Sequence, residues 1–231
     1  MNSKYYLSQK SFVDNKFCVV RKFINPDIAV LLYNYAKVTA QAVSFKIDHC
    51  KEKYDDAWDG NFHCPQALGV YSKYGDSIMD ALGIQTLLDA QVYTGHKLYY
   101  TYSYWRLYEN GSILKSHRDR MSCDISATIC LGWDNSNLSQ NYNWSFFVES
   151  NGQEIEIKLN PGDAVFYRGC DLLHWRNKCE CLNHAQVFLH YNSQSSINEY
   201  DATTGDGYLY DGRVCLGLPK KYQTKDYPES I

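Results

Sequence analysis

Apolar and polar positions change rhythm once along this 231-residue chain, near residue 97. Before that point the spacing is helical. A short strand is predicted at KFCVVRKF (16–23). Asn25 then stands where an N-cap would, with Pro26 at the first helical position. Ile28, Leu31, Leu32, Tyr35 and Val38 follow every three or four residues, which predicts a helix with one apolar stripe. A second helical stretch is expected at about 72–93, carrying Ile78, Leu82, Ile84, Leu87 and Leu88. Two such helices would cover one face of the sheet that follows.

From 97 to 192 the period is two. KLYYTYSYWRLY predicts a strand with Tyr100, Tyr102, Tyr104, Arg106 and Tyr108 on one face. SILKSH follows after the turn ENG, and CDISATICLG then alternates Ile125, Ala127, Ile129 and Leu131 against Asp124, Ser126 and Thr128. WSFFVES and QEIEIKL read as a hairpin about Asn151-Gly152. PGDAVFYRG, in which Gly162-Asp163 is turn chemistry, LLHWRN and HAQVFLHYN complete eight short strands. The fold class expected is mainly β: a jelly roll, or double-stranded β-helix, with N-terminal support helices. No repeat or linker divides the chain, so residues 1–231 are read as one domain. Its parts are a helical support region (1–96), a catalytic barrel (97–192) and a C-terminal wrap (193–231).

Within the barrel, His117 and Asp119 share one face of a strand, and His174 follows fifty-five residues after Asp119. In an eight-stranded jelly roll the second and seventh strands are neighbours, so the three side chains converge. Two imidazoles and one carboxylate on a single octahedral face leave three positions open, as in non-heme Fe(II) oxygenases. The bland alternative is a satisfied polar pair at a strand end. The segments YENGSILKSHRD, PGDAVFYRG and LLHWR also carry a resemblance. In order and spacing, residues 97–192 resemble the catalytic core of the 2-oxoglutarate- and Fe(II)-dependent dioxygenases, closest to the prolyl-4-hydroxylase-like branch. The series HRDR, ISATICLG and QVFLHYN is also similar to a group found in bacteria and their viruses.

The resemblance implies that His117, Asp119 and His174 ligate Fe(II) and that Tyr108 hydrogen-bonds 2-oxoglutarate. It further implies ascorbate as a reductant, and hydroxylation coupled to decarboxylation of 2-oxoglutarate to succinate. The chain departs from the pattern where a Lys or Arg, about ten residues past the distal His, would take the far carboxylate of 2-oxoglutarate. HAQVFLHYN offers His184, Gln186 and His190 instead. Arg176, two residues past His174, and Arg106, two before Tyr108, are the alternatives, with Gln186 or His190 as neutral support for Arg176. Tyr102 and Tyr104 are expected in the substrate pocket, Arg120 at its mouth, and Arg118 facing out.

Composition narrows the partners. At 45% hydrophobic and 21% charged residues the chain can bury a sizeable core. A net charge of −3 gives no broad field for nucleic acid or an anionic membrane. Apolar runs such as IAVLLYNYA are too short to span a bilayer, and MNSKYYLSQKSF lacks a signal core, so an intracellular location is expected. Nine scattered cysteines then read as reduced. A zinc site at His174, Cys179, Cys181 and His184 is a weaker reading, since it would consume the third iron ligand. The expected substrate is a peptidyl (prolyl) residue or an amino acid, with a small molecule the wider class. The rival readings are a jelly-roll metal enzyme that uses no 2-oxo acid and a non-catalytic binding module.

Overall fold

The structure is a computed structural model and describes residues 3–49, 54–138 and 142–195. Most of the expected C-terminal wrap therefore lies outside the described residues. The N-terminal part contributes α1 (Ser3–Asn15), β1 (Phe17–Val20), α2 (Pro26–His49), α3 (Asp56–Asp59), β2 (Tyr71–Tyr74), α4 (Ser77–Gln85) and α5 (Leu87–Thr94). The barrel comprises β3 (Leu98–Glu109), β4 (Leu114–His117), β5 (Ile125–Asp134), β6 (Phe146–Ser150), β7 (Gln153–Ile157), β8 (Ala164–Tyr167), β9 (His174–Arg176) and β10 (Asn183–Ser193).

Two antiparallel sheets form. One has the order β1-β8-β5-β10-β3-β2 and the other β4-β9-β6-β7. This is the expected jelly roll, with β4 and β9 paired so that His117 stands opposite His174. Ile125, Ala127, Ile129 and Leu131 of β5 face the helices, in the same core cluster as Ala29, Leu32 and Ala36 of α2. Ser126 and Thr128, on the alternate positions, turn inward and bond side chains of the barrel interior. The close approach of α2 fixes one glycine. A Cβ on Gly132 would meet the Tyr33 ring at 3.0 Å, and its φ of +157° suits no larger residue.

Three details differ from the sequence expectation. The buried stripe of α2 is Ala29, Leu32, Tyr33, Ala36, Ala40 and Val43, whereas Ile28, Leu31 and Val38 are exposed. Small alanines let the helix lie close to β5, and bulk alone misassigned the face. The stretch at 72–93 opens as strand β2, paired with β3, before Asp76 caps α4 by accepting from the Ile78 and Met79 amides. Within β3 the alternation breaks. Leu189 pairs with Ser103 but Tyr191 with Tyr100, so an extra β3 residue bulges and turns Tyr100 toward α4, where its hydroxyl donates to Asp80.

Candidate active site

His117 ends β4, His174 begins β9, and Asp119 lies in the bend just after β4, its amide held by the Gly169 carbonyl at 2.9 Å. One ligand atom from each of the three lies within 4.8 Å of the others. Asp119 Oδ1 is 3.8 Å from His117 Nε2 and 3.5 Å from His174 Nε2. Both rings are oriented by the backbone. His117 Nδ1 donates to Lys115 O at 2.8 Å and His174 Nδ1 to Leu172 O at 3.0 Å, which fixes the tautomer that presents Nε2 to a metal. Burial, aided by the neighbouring His174, pushes His117 down to about 4, so its imidazole is neutral near pH 7. Burial alone would raise the Asp119 carboxyl. The His174 and His190 imidazoles and the Ser126 hydroxyl outweigh it and hold the group below the usual carboxylate range.

The carboxylate has its own supports. Ser126 Oγ donates to Asp119 Oδ2 at 2.8 Å and accepts from His190 Nδ1 at 2.9 Å. Gly169 leaves room for that oxygen, since a Cβ there would meet Asp119 Oδ2 at 2.3 Å. The donor set and these outer bonds fit a divalent transition metal with part of its coordination shell open. Among the described residues no other group of three such donors converges. The zinc reading finds no support there: His174 belongs to the triad, and among the described residues Cys179, Cys181 and His184 form no converging group of three donors.

The triad opens into a cavity of about 290 Å³. Its walls include Tyr102, Tyr104, Arg106, Tyr167, Phe188 and His190. Arg118 and Arg120 are both exposed, as expected for Arg118, and both border the cavity. Arg106, only 1% exposed, donates from Nε to Tyr104 Oη (2.9 Å), from Nη1 to Tyr108 Oη (3.2 Å) and from Nη2 to Gln66 Oε1 (2.7 Å) and Cys64 Sγ (3.0 Å). Arg176 lies outside the lining of the cavity, although its cross-strand neighbour Leu114 is part of it. Its guanidinium lies over the Trp144 and Phe146 rings and donates to Trp144 O at 2.5 Å. With its amide oriented to satisfy both neighbours, Gln186 accepts from Arg176 Nη2 at 3.2 Å and from His184 Nε2. Arg176 Nε and His184 Nδ1 are buried without partners. Tyr108 is wholly buried, its hydroxyl accepting from Arg106 and its ring edge-on to Trp144. His190 stands opposite Ser126 in the sheet register and bonds its hydroxyl. Ser126, Gly169, Tyr167, Cys64 and Gln66 are contributors that sequence reasoning missed. For Ser126 the signal was present, since it stands on the polar alternate positions of β5.

No protein-family model matches the chain, and no curated protein matches it. Solved structures do. A prolyl-4-hydroxylase from Pseudomonas putida superposes with a TM-score of 0.57 at 12% identity, covering 81% of this chain and 99% of that one. SnoN, a non-heme α-ketoglutarate-dependent epimerase from nogalamycin biosynthesis, gives 0.56 at 12% identity over 98% of each chain. HygX from Streptomyces hygroscopicus, solved with nickel and 2-oxoglutarate bound, gives 0.54 at 11% identity over 91% of this chain and 96% of its own. The chain thus has the double-stranded β-helix fold of the 2-oxoglutarate–Fe(II) oxygenases, prolyl-4-hydroxylases among them.

Proposed function

We propose that this protein is a 2-oxoglutarate- and Fe(II)-dependent oxygenase, a hydroxylase of an amino-acid or peptidyl (prolyl) substrate. The observation that carries the reading is the convergence of His117, Asp119 and His174 on one point of a cavity wall, with both Nε2 atoms pre-aimed by backbone carbonyls. Those three residues would hold the iron. Iron and 2-oxoglutarate bound there would supply oxygen activation coupled to decarboxylation of the co-substrate. The remaining work belongs to the chain. Ser126 and Gly169 orient the carboxylate ligand, and the aromatic walls Tyr102, Tyr104, Tyr167 and Phe188 restrict water around the reacting centre.

For the far carboxylate of 2-oxoglutarate we assign Arg176, supported by Tyr108 and Gln186. Arg176 follows His174 by two residues on one strand face, about 7 Å deeper into the barrel. That is a fitting span for a five-carbon diacid held to the metal at its other end. It is buried, one of its donors is unspent, and no carboxylate pairs with it among the described residues. Access requires the cavity to open past Leu114. Arg176→Gln should weaken 2-oxoglutarate binding by about 30-fold or more, the cost of losing a buried charge-assisted pair.

The deciding experiment incubates purified protein with Fe(II), 2-oxoglutarate and oxygen, and measures succinate and oxygen together. Equimolar succinate formation, abolished by His174→Ala, supports the proposal. Metal binding without succinate would favour a jelly-roll metal enzyme that uses no 2-oxo acid. Absence of metal binding would favour a binding module.

A further inference from the structure

The two buried arginines pose a question of charge. Arg106 and Arg176 are each 1% exposed, and neither forms an ion pair among the described residues. A buried guanidinium without an anion is costly, since neutral acceptors do not balance its charge. The proposed co-substrate brings two carboxylates. One goes to the metal and the other to a single arginine, which leaves the second arginine unmatched.

Arg106 is the one whose surroundings open to the cavity. Among the residues lining it, Asp119 is the sole acid, and the metal would claim that charge. The donors of Arg106 are mostly engaged by phenol, amide and thiol groups, which fix the guanidinium plane; among the described residues no carboxylate pairs with it, and the Cys64 thiol, which Arg106 draws toward ionisation, is the one acidic group at 3.0 Å. Beside it Tyr74 and Tyr104, their rings stacked on one another at 4.0 Å and 17°, give the cavity an aromatic side. A volume of about 290 Å³ admits a small molecule and not a folded partner.

We propose that Arg106 recognises an anionic group on the substrate itself. On this view the substrate is a small molecule that lays its body against the Tyr74–Tyr104 wall and carries its own carboxylate or phosphate group. The inference rests on the oxygenase reading for its second anion, and it narrows the substrate from a neutral peptidyl residue to a free amino acid or another small acid. It also divides the labour: Arg176 serves the co-substrate and Arg106 the substrate.

The test uses the full chain with Mn(II) and 2-oxoglutarate and ring-bearing probes matched except for charge: benzoate against benzamide, and phenyl phosphate against phenol. Calorimetry gives affinity, and paramagnetic broadening of probe protons by Mn(II) gives proximity to the triad. The charged member of at least one pair is expected to bind about tenfold tighter than its neutral partner, with its protons broadened. Arg106→Gln should bring the pair within about twofold, and Arg106→Lys should recover part of the difference. Equal affinities in the unsubstituted protein would overturn the proposal, and that comparison stands even if Arg106→Gln fails to fold. Displacement of benzoate by 2-oxoglutarate would also overturn it, by placing both in one site. Failure of the parent reading looks different: neither Mn(II) nor 2-oxoglutarate binds, while calorimetry on the metal-free chain still reports whether charge matters.

Discussion

Replacing Ser126 with alanine removes one hydroxyl from the interior and leaves all three proposed metal ligands in place. In the intact protein that hydroxyl donates to Asp119 Oδ2 at 2.8 Å while accepting from His190 Nδ1 at 2.9 Å. The serine side chain is fully buried, so solvent has poor access to replace the bond. A hydrogen bond to a charged group contributes about 1.5–3 kcal/mol, and a bound metal would share the carboxylate's charge and draw the effect toward the lower figure. At about 1.4 kcal/mol per decade, Ser126→Ala should weaken metal binding by about 10- to 30-fold, within the range typical of groups that orient a metal ligand. Titration with Ni(II) or Co(II) against a competing chelator measures this. Thermal unfolding of the metal-free variant controls for loss of fold, and Asp119→Ala supplies the lower limit. An affinity within about twofold of the parent, with Asp119→Ala strongly impaired, would refute the idea that Ser126 holds the carboxylate in its ligating pose.

Gly169→Ala should cost about 1–3 kcal/mol of stability by urea unfolding and suppress metal uptake, because the new Cβ would meet Asp119 Oδ2 at 2.3 Å and Cys123 O at 2.8 Å. Normal metal affinity in that variant would mean the carboxylate has room to spare. Cys64 should be alkylated by iodoacetamide at neutral pH before the buried thiols. Burial opposes its ionisation, yet the Arg106 charge and donors from Tyr104 and Arg106 hold it below the usual thiol range, while Cys18, Cys130 and Cys170 are pushed up to about 12. Peptide mapping after timed labelling decides, and earlier labelling of Cys170 would contradict the assignment. Stability of the metal-free chain should fall as pH drops below about 6.5, the ordinary histidine value. Burial, with the nearby Arg176 charge, holds His184 far below that value, so the unfolded chain takes up a proton that the folded chain refuses. The loss is at most about 1.4 kcal/mol per pH unit for this residue, and His184→Gln should flatten the slope. An unchanged slope would locate the titrating group elsewhere.

How far the sequence could be read depends on which physics governed each feature. The alternation of β5 was legible because strand periodicity is local, but which face is the interior was not. The apolar Ile125, Ala127, Ile129 and Leu131 pack under the helices, and the polar Ser126 and Thr128 serve the site. A barrel with a polar interior inverts the usual inside-out pattern. The triad was legible for a related reason: His117 and Asp119 are near neighbours in sequence, and the jelly-roll order brings His174 across from His117. The burial of α2 through alanines was not legible, because close packing against Gly132 is a tertiary fact that residue bulk does not announce.

The arginines show the same divide most sharply. Spacing placed Arg106 and Arg176 on inward faces of β3 and β9 and could go no further, since both sit two residues from a site residue. What separates them is the third dimension. Gln66 and Cys64, from the segment before β2, reach Arg106 and hold it at the cavity wall, whereas Trp144 and Phe146 cover Arg176. Cross-strand register puts Arg106 opposite Gln186, and Gln186 in turn accepts from Arg176. No carboxylate among the described residues pairs with either guanidinium, and an anion placed at one acts on the field at the other. An anion bound at Arg176 would lower the positive field at Arg106, so a second anion there should bind more weakly once the first is in place. Affinity for an anionic probe at Arg106 should then differ measurably between the 2-oxoglutarate-free and 2-oxoglutarate-loaded protein. An identical affinity in the two states would show that the arginines do not sense each other's charge.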